Sequence, residues 1–432
     1  MPHLNRREML GALVLPAVAA CTGLDPQRAR IALAAAPPAH VPPGQVAQDE
    51  DFWLEISRAF THDRTLINLN NGGVAPAPRV VQETVKRWLD YANTQPPSLA
   101  VLGTHPEIEV VRERLARTFG AGTEEIALTR NASESLLICQ NGLDLREGDE
   151  VLTSTQDYPR MVNGFKQREK REGLKLVQVQ LPVPAEDDAE VVRRFEAAIT
   201  PRTRLLLVCH MINLTGQILP VKDLVAMSRR HGIPCVVDGA HALAQFPFRI
   251  DDLECDYYGS SLHKWLFAPH GTGLLYVRKD KIAGVWPLIG ADVAQDPDIR
   301  KFEEVGTHPL APFLAVGDAL DFHAALGPER KAARLRWLRD RWASRLLQSD
   351  RVHLHTSLDP RWSCGIATVQ VDGLDTGKLQ QWLWNQHRIL VTGIKHAEFE
   401  GLRVSPSVNT LPDEVDRFCE AVEAAERDGL PT

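Results

Sequence analysis

Short apolar runs alternate with longer amphipathic stretches along most of the chain. Seven of these runs, rich in Val, Leu, Ile and Tyr, predict β-strands at residues 125–129, 150–153, 175–180, 205–209, 235–238, 257–260 and 273–277. Between several of them, the spacing of apolar positions predicts helices at residues 133–142, 159–172 and 221–231. Apolar strands separated by amphipathic helices are typical of a mostly parallel sheet with helices on both faces. We therefore expect an α/β fold that binds ligands beyond the carboxyl ends of its strands.

The pattern changes after residue 310. Two long helices are predicted, followed by a strand, a helix, a strand and a last helix, at residues 311–326, 330–347, 366–371, 378–387, 402–406 and 412–428. This order predicts a smaller α+β domain at residues 311–432, beside a large domain at residues 79–310. Residues 49–78 are expected to join the small domain. The cluster of Pro and charged residues at 182–190 is expected to be a solvent-exposed loop.

The first residues of the chain have a different character. Arg6 and Arg7 precede an apolar stretch that ends before Cys21. A positive start followed by a short apolar core indicates an export signal at residues 1–21, because a membrane span needs about 20 apolar residues. The arginine pair favours the twin-arginine route, with its export machinery as a partner and a periplasmic or exported location. Residues 22–48, rich in Ala, Pro and Gln, predict a flexible tether.

Two fates of this signal remain open. Residues 18–21 resemble a bacterial lipobox, which would leave Cys21 as a lipidated anchor in the membrane. Alternatively, the signal is cleaved near the Ala-rich residues 34–36, and the protein is released.

Composition and charge exclude some functions. The net charge is -7 and no basic stripe stands out, so a nucleic-acid partner is not expected. The seven cysteines form no CxxC pair, so no metal site is expected. Cys209 and Cys235 lie in apolar runs and are expected to be buried as small hydrophobic residues.

Two motifs that follow predicted strands carry the candidate chemistry. Asp238 ends a strongly apolar strand and precedes a Gly-Ala turn, and His241 comes three residues later. Lys264 follows the next strand in a Ser-Ser-Leu-His-Lys cluster. A partly desolvated lysine has a lowered pKa and becomes nucleophilic, as a Schiff-base lysine requires. Taken singly, Asp238 could be a helix cap and Lys264 a surface lysine.

Together the motifs resemble the class V aminotransferases, a family of fold type I pyridoxal-phosphate (PLP) enzymes that includes isopenicillin N epimerase-like proteins, cysteine desulfurases and kynureninases. The resemblance implies a large domain with a mostly parallel seven-stranded sheet flanked by helices, and a smaller α+β C-terminal domain. It implies PLP as the cofactor, bound to Lys264 as a Schiff base. Asp238 would pair with the pyridine nitrogen and His241 would lie near the 3′ oxygen. A protonated pyridine ring is the electron sink of such enzymes.

The resemblance assigns further contacts in the order of the chain. For the cofactor these are Ala132, Ser133, Ser261 and His263 at the phosphate, Tyr158 on the pyridine ring, and Asn213 beside the 3′ oxygen. Ala132 and Ser133 open a predicted helix, and helix N-termini bind phosphate well. Thr307 matches a threonine that reaches the phosphate of a neighbouring subunit, which implies a homodimer.

The substrate side is assigned in the same way. Arg403 matches an arginine that clamps the substrate carboxylate, a group for which a planar guanidinium is suited. Asn71 and Gly72 match a segment that lines the substrate. The resemblance therefore implies a small, amino-acid-like substrate. The residue types leave the reaction open among transamination, epimerisation and C–S lysis, and a PLP-binding protein without catalysis is the non-enzymatic alternative.

Two observations narrow these choices. Cysteine desulfurases carry a nucleophilic cysteine shortly before the carboxylate-binding arginine, whereas residues 389–402 contain none and Cys364 lies well upstream. Desulfurase chemistry is therefore not expected. The export signal indicates a substrate outside the cytoplasm, and the chain also resembles a periplasmic PLP enzyme of pyoverdine maturation. We therefore expect action on an exported natural product such as a siderophore.

Overall fold

A computed structural model describes residues 40–94 and 96–430 of the chain. The predicted export signal, with Arg6, Arg7 and Cys21, lies outside the described residues. The strands are β1 Ile67–Asn68, β2 Ile126–Thr129, β3 Glu150–Ser154, β4 Lys175–Val179, β5 Thr203–Cys209, β6 Cys235–Asp238, β7 Tyr257–Ser261, β8 Gly273–Val277, β9 Val352–Leu354, β10 Ala367–Val371, β11 Ile389–Leu390, β12 Thr392–Lys395 and β13 Glu400–Val404. No helix of the described part is long and apolar enough to cross a membrane.

The helices flank these strands. They are α1 Pro43–Val46, α2 Glu50–Arg58, α3 Arg79–Asn93, α4 Pro97–Phe119, α5 Ala132–Gly142, α6 Pro159–Glu172, α7 Asp188–Ala197, α8 Val221–Arg230, α9 Ile250–Leu253, α10 Ala311–Leu314, α11 Val316–Leu326, α12 Pro328–Leu346, α13 Thr376–His387 and α14 Pro412–Asp428. The three helices predicted between the strands of the large sheet are confirmed as α5, α6 and α8.

The large sheet has seven strands in the order β2-β8-β7-β6-β5-β3-β4. Only β8 is antiparallel to its neighbours, β2 and β7, and the other pairs are parallel. The carboxyl ends of the other six strands therefore meet at one edge. The predicted mostly parallel seven-stranded sheet is confirmed, with strand ends within two residues of the expected positions.

Helices cover both faces of this sheet. Successive residues of β5 point to opposite sides: Leu207 packs with Val236 in one hydrophobic cluster, and Val208 packs with Val237 in another. Inner strands such as β5 and β6 are buried on both faces, and they are therefore mostly apolar instead of alternating with polar residues. The edge strand β4 is partly exposed and keeps the polar residues Lys175 and Gln178.

A second, antiparallel sheet of four strands lies in the C-terminal part, in the order β12-β13-β10-β9. Helix α12 joins the two cores, because Leu335 packs in the cluster of the large sheet and Leu338 in that of the small sheet. Helices α10 and α11 pack against α3 and α4, on the large-domain side. The change of core therefore falls within α12, and the domain boundary placed at residue 310 stays a prediction.

The segment before the large domain contributes to both cores. Trp53 and Phe60 pack in the cluster of the large sheet, whereas Ile67 and Leu69 pack in that of the small sheet. Strand β1 pairs with β11 in parallel.

Two loop predictions were wrong in their extent. The predicted tether reached residue 48, but Val46 is buried and its carbonyl accepts a hydrogen bond of 2.7 Å from Trp53 Nε1, so packed structure begins by residue 43. The predicted loop at residues 182–190 ends where α7 begins. There Asp187 caps the helix by accepting a hydrogen bond from the N–H of Glu190.

Candidate active site

A cavity of about 350 Å³ opens at the carboxyl edge of the large sheet. It is bounded by the ends of β5, β6 and β7 and by the start of α5. Among its lining residues are Ala132, Ser133, Tyr158, Asn213, Asp238, His241, Ser261, His263 and Lys264. The structure thus brings together nine residues that the sequence singled out from five separate segments.

Asp238 ends β6 with a buried carboxylate. Its Oδ1 accepts a hydrogen bond of 2.9 Å from the N–H of Ala240. The chain turns sharply here, and a Cβ at Gly239 would lie 2.0 Å from the Tyr258 ring, so only glycine fits. Burial raises the pKa of Asp238 to about 6, although the Ala240 N–H and the charge of Lys264 oppose that shift. A buried carboxylate at this position favours a cationic N–H partner.

Lys264 and His241 form the reactive pair of the cavity. Lys264 Nζ lies 3.1 Å from His241 Nε2. Burial lowers the pKa of Lys264 to about 8, with nearby Asp238 opposing the shift. Burial, followed by the charges of Lys264 and Arg403, also lowers the pKa of His241 well below its usual value. His241 is therefore neutral, and its Nε2 accepts from the lysine amine when Nδ1 carries the proton.

The start of α5 forms a cradle for an anion. Asn131 caps the helix, and its Oδ1 accepts a hydrogen bond of 2.9 Å from the Glu134 N–H. Ser261 Oγ accepts the Ala132 N–H at 2.9 Å, which ties the helix start to the end of β7. A Cβ at Gly273 would lie 2.7 Å from Asn131 Cα. Only glycine at this position therefore lets β8 lie so close to the cap residue. Such a helix start favours phosphate.

His263 and Tyr158 complete the cofactor side of the cavity. His263 Nδ1 lies 3.0 Å from the Thr272 carbonyl, which assigns the proton to Nδ1. Burial, helped by the charge of Lys264, lowers the pKa of His263 to about 4. Tyr158 is half-buried immediately before α6. It lines the cavity, and its stacking on the pyridine ring stays a prediction.

Arg403, on β13 of the small sheet, is not among the residues that line the cavity, but it contacts the lining residue Asn213 from behind. It is 6% exposed, and its Nη1 donates to the Asn213 carbonyl at 3.0 Å while Nη2 donates to Asn70 Oδ1 at 2.7 Å. Burial lowers the pKa of Arg403 to about 10, so the guanidinium stays charged near neutral pH. Its charge lowers the pKa of both Lys264 and His241, which places it beside the reactive pair.

Besides Arg403, three predicted site residues do not line this cavity. Thr307 lines a separate cavity of about 880 Å³, next to Arg130. Asn71 is buried and its Nδ2 donates to the Ser405 carbonyl, while Gly72 packs against the Ser405 side chain. Asn71 and Gly72 therefore do not line the cavity of Lys264. Their predicted substrate contacts, and the reach of Thr307 to a second subunit, stay predictions.

The sequence alone did not point to several residues of the cavity wall. Val74 is one of them, whereas its neighbour Gly73, which also lines the cavity, ends the segment Asn70–Gly73 that the resemblance placed on the substrate side. Cys209 and Met211 flank the end of β5, a position that the carboxyl-end rule could have identified. Arg160 lines the cavity two residues after Tyr158, and no motif indicated it.

Unpaired polar atoms in and beside this cavity fit PLP and an amino-acid substrate. His241 Nδ1, Asn213 Oδ1 and Arg403 Nε are buried without a hydrogen-bond partner in the described structure. Buried polar atoms are nearly always paired, so these three are suited to bound molecules. Asp238 would hold the pyridine nitrogen, the α5 start would hold the phosphate, and the Lys264 amine is placed for the aldehyde carbon. The residues around Lys264 therefore provide a suitable partner for the pyridine nitrogen, the phosphate and the aldehyde carbon of PLP.

Comparisons with known proteins agree with this geometry. The family model for class V aminotransferases matches residues 67–418. Isopenicillin N epimerase of Streptomyces clavuligerus is 32% identical over 391 residues, covering 86% of this chain and 98% of that protein. Isopenicillin N epimerase of Amycolatopsis lactamdurans is also 32% identical, with the same coverage of both chains. A solved structure of the cystine C–S lyase C-DES, with glycine covalently linked to its PLP cofactor, has a TM-score of 0.73 and 25% identity, covering 83% of this chain and 98% of that one.

Proposed function

Because the chain belongs to the class V aminotransferase family and uses PLP as its cofactor, we propose that it catalyses proton transfer at the α-carbon of an amino acid or amino-acyl group. The observation that carries this proposal is the contact of 3.1 Å between Lys264 and His241, with Arg403 beside them. Epimerisation is the reaction we favour, since the relatives that match over nearly their whole length are named as epimerases.

The residues of the cavity divide the work. PLP, when bound, withdraws electrons from the α-carbon and so makes its proton acidic. Lys264, with a pKa of about 8, is suited to accept and return this proton near neutral pH at its Nζ. Neutral His241 accepts a hydrogen bond from that nitrogen and orients it. The Asp238 carboxylate stabilises positive charge on the cofactor side, and Arg403 holds the substrate carboxylate.

A C–S lyase acting on a small amino acid is the second candidate. The likeness to C-DES favours it. Persulfide formation on a loop cysteine is not proposed, because residues 389–402 contain none. In this loop Glu398 instead accepts hydrogen bonds of 2.6 Å from Thr155 Oγ1 and 3.1 Å from Gln156 Nε2, which holds the loop against the β3–α6 connection.

The substrate we propose is an exported natural product with an amino-acid group, such as a siderophore. The reason is the signal-like sequence at residues 1–21, since a twin-arginine route carries folded proteins and would allow PLP to be loaded before export. Arg160 supports an acidic substrate group at the cavity wall, because it makes no hydrogen bond or ion pair with the described residues. Cell fractionation and N-terminal sequencing test this part, and an intact N-terminus in the cytoplasm would refute it.

We further propose that the protein is a homodimer in which Thr307 reaches the phosphate of the partner's cofactor. Thr307 lies on the wall of a cavity apart from that of Lys264, so it is not in contact with its own chain's cofactor site. Exposed apolar side chains nearby in sequence, Trp286, Ile289 and Val293, favour association. Light scattering of the purified protein would give twice the mass of the chain, whereas a monomer would contradict this.

Deuterium exchange tests the proposed reaction directly. The PLP-loaded protein is incubated in D₂O with a panel of L-amino acids, and the α-proton signal is followed by NMR. We expect exchange for at least one substrate, with D-isomer formation if the enzyme is an epimerase and keto-acid release if it is a lyase. A Lys264→Ala variant is the control and should exchange nothing. Neither exchange nor product with any amino acid or amino-acyl peptide would refute the proposal.

A further inference from the structure

A buried lysine lies behind the cavity. Lys331, in the first turn of α12, is fully buried. Its Nζ donates a hydrogen bond to the carbonyl of Trp265, the residue that follows Lys264. The same nitrogen lies 4.1 Å from the centre of the Phe267 ring and 3.5 Å from His323 Nδ1. Two of these contacts, with Trp265 and Phe267, place the amine against the segment that carries the reactive lysine, and the third joins it to α11.

No carboxylate pairs with Lys331 in the part of the chain that the structure describes. Within the described residues it forms no ion pair, and the titratable groups facing it are His323 and Cys364. Burial lowers the pKa of Lys331 well below its usual value, and that of His323 likewise. A buried lysine without a carboxylate is costly to retain for stability alone. The hydrogen bond from Lys331 to the Trp265 carbonyl therefore indicates a role other than stability.

The segment after Lys264 adopts an unusual backbone. Phe267 has φ 61°, in the left-handed region that is uncommon for residues other than glycine. The N–H of Ala268 donates back to the Leu262 carbonyl at 3.1 Å and closes the turn around Lys264. Such a conformation persists only where the surroundings hold it. Lys331 stabilises this conformation at two points, because its amine donates to the Trp265 carbonyl and lies 4.1 Å from the centre of the Phe267 ring.

His241, the other member of the reactive pair, is held in a similar way. Gln245 Nε2 donates to the His241 carbonyl at 2.6 Å, and Gln245 Oε1 accepts the Gly365 N–H at 2.8 Å. The backbone carbonyls of Trp265, next to Lys264, and of His241 are therefore each held by a residue that does not line the cavity. Lys331 belongs to α12, and Gln245 is in turn bonded to Gly365 in the segment before β10.

We propose that Lys331 is a positioning residue that directs Lys264 into the cavity through the Trp265 carbonyl. The proposal rests on Lys264 being the cofactor lysine, and it adds a part of the molecule that touches neither cofactor nor substrate. Without the amine, the Trp265 carbonyl loses the hydrogen bond that it accepts from Lys331. The turn from Leu262 to Ala268 then becomes more mobile, and the contact between Lys264 and His241 loosens. Because small misplacements of a catalytic group are costly, we expect a reduction in kcat of roughly 10- to 100-fold.

Lys331→Met tests this, since methionine keeps most of the chain length and lacks the donor. The main readout is an absorbance pH titration of the PLP-loaded protein without substrate. We expect the midpoint of the lysine–PLP chromophore to shift by about one pH unit. kcat should fall while KM changes by less than about threefold, since Lys331 does not contact substrate. Lys301→Met is the matched control, because Lys301 is also buried and lies 5.2 Å from an aromatic ring, that of Phe302.

A second variant keeps the test decisive if Lys331→Met does not fold. Lys331→Gln retains an N–H donor, and we expect its midpoint to shift in the same direction as that of the Met variant but by less than about one pH unit. An unchanged titration and kcat in either folded variant would overturn the proposal. A protein without any lysine–PLP chromophore would instead refute the cofactor assignment, so the two failures are distinguishable.

Discussion

Lys264 Nζ lies 3.1 Å from His241 Nε2, in a cavity where burial lowers the pKa of both groups. A neutral imidazole beside an amine with a pKa of about 8 gives a proton acceptor that is partly deprotonated near neutral pH. The same arrangement makes the site unfavourable for folding when the lysine is charged. Function and stability are therefore linked at this residue.

Lys264→Met should stabilise the protein without PLP at neutral pH. The folded-state pKa of Lys264 is about 8 against an ordinary value of 10.5, so the folded state binds fewer protons between these values. The penalty for a charged Lys264 is thus complete below pH 8 and disappears as pH rises to 10.5. We expect the variant to gain about 1–2 kcal/mol at pH 7, a figure reduced for partial solvent screening. Urea unfolding of the variant and the wild type at pH 7 and pH 10.5 measures this gain in the free energy of unfolding. An equal gain at both pH values would show that the charge of Lys264 does not affect stability.

Asp238→Asn should remove most activity and leave the fold intact. The amide cannot supply the negative charge that Asp238 offers at the end of β6. We expect kcat to fall by about 10²–10⁴-fold, the range of a lost acid–base or charge contribution. Steady-state kinetics measure this, with the exposed Asp223→Asn as the matched carboxylate control. Activity within a factor of two of the wild type would exclude the assigned role.

Arg403→Gln should act on substrate binding. A hydrogen-bonded contact with a charged partner is worth about 1.5–3 kcal/mol, so we expect KM for an amino acid to rise roughly 10- to 100-fold. The corresponding amino-acid amide lacks the carboxylate, and its KM should change little. If both ligands lose affinity equally, Arg403 instead supports the fold through Asn213 and Asn70.

Gly239→Ala should destabilise the protein at the turn that presents Asp238. The added Cβ would lie 2.0 Å from the Tyr258 ring, and that ring is buried. We expect a loss of about 3 kcal/mol in the free energy of unfolding, typical of severe overpacking. Gly284→Ala is the control, because a methyl group at that position would meet no atom within 4 Å. Equal stability of the two variants would show that the turn tolerates a side chain.

The sequence predicted the large sheet well, and all the residues that it assigned to the cofactor except Thr307 line one cavity. Strands buried on both faces are continuous apolar runs, so β5 and β6 were clear, and Cys209 and Asp238 at their ends fell at the edge where ligands bind. The weak points were the exposed helices and short edge strands. For example, β9 has only three residues, of which one is buried, so it carries little periodic signal.

Contacts between distant segments could not be predicted. Lys331 reaches the Trp265 carbonyl across 66 positions of sequence, and no local pattern separates such a lysine from a surface one. The same holds for Arg160, whose place on the cavity wall depends on where α6 begins. Conversely, Asn71 matched a motif, yet its side chain bonds to the Ser405 carbonyl behind the cavity.

The absorption spectrum of the purified protein, compared with that of Lys264→Ala, tests the central claim most directly. We expect a visible-edge band in the wild-type protein that borohydride removes while fixing the cofactor to Lys264, identified by peptide mass. The variant should lack both the band and the labelled peptide. A wild-type protein that stays colourless with added PLP, or a label on another lysine, would contradict the account.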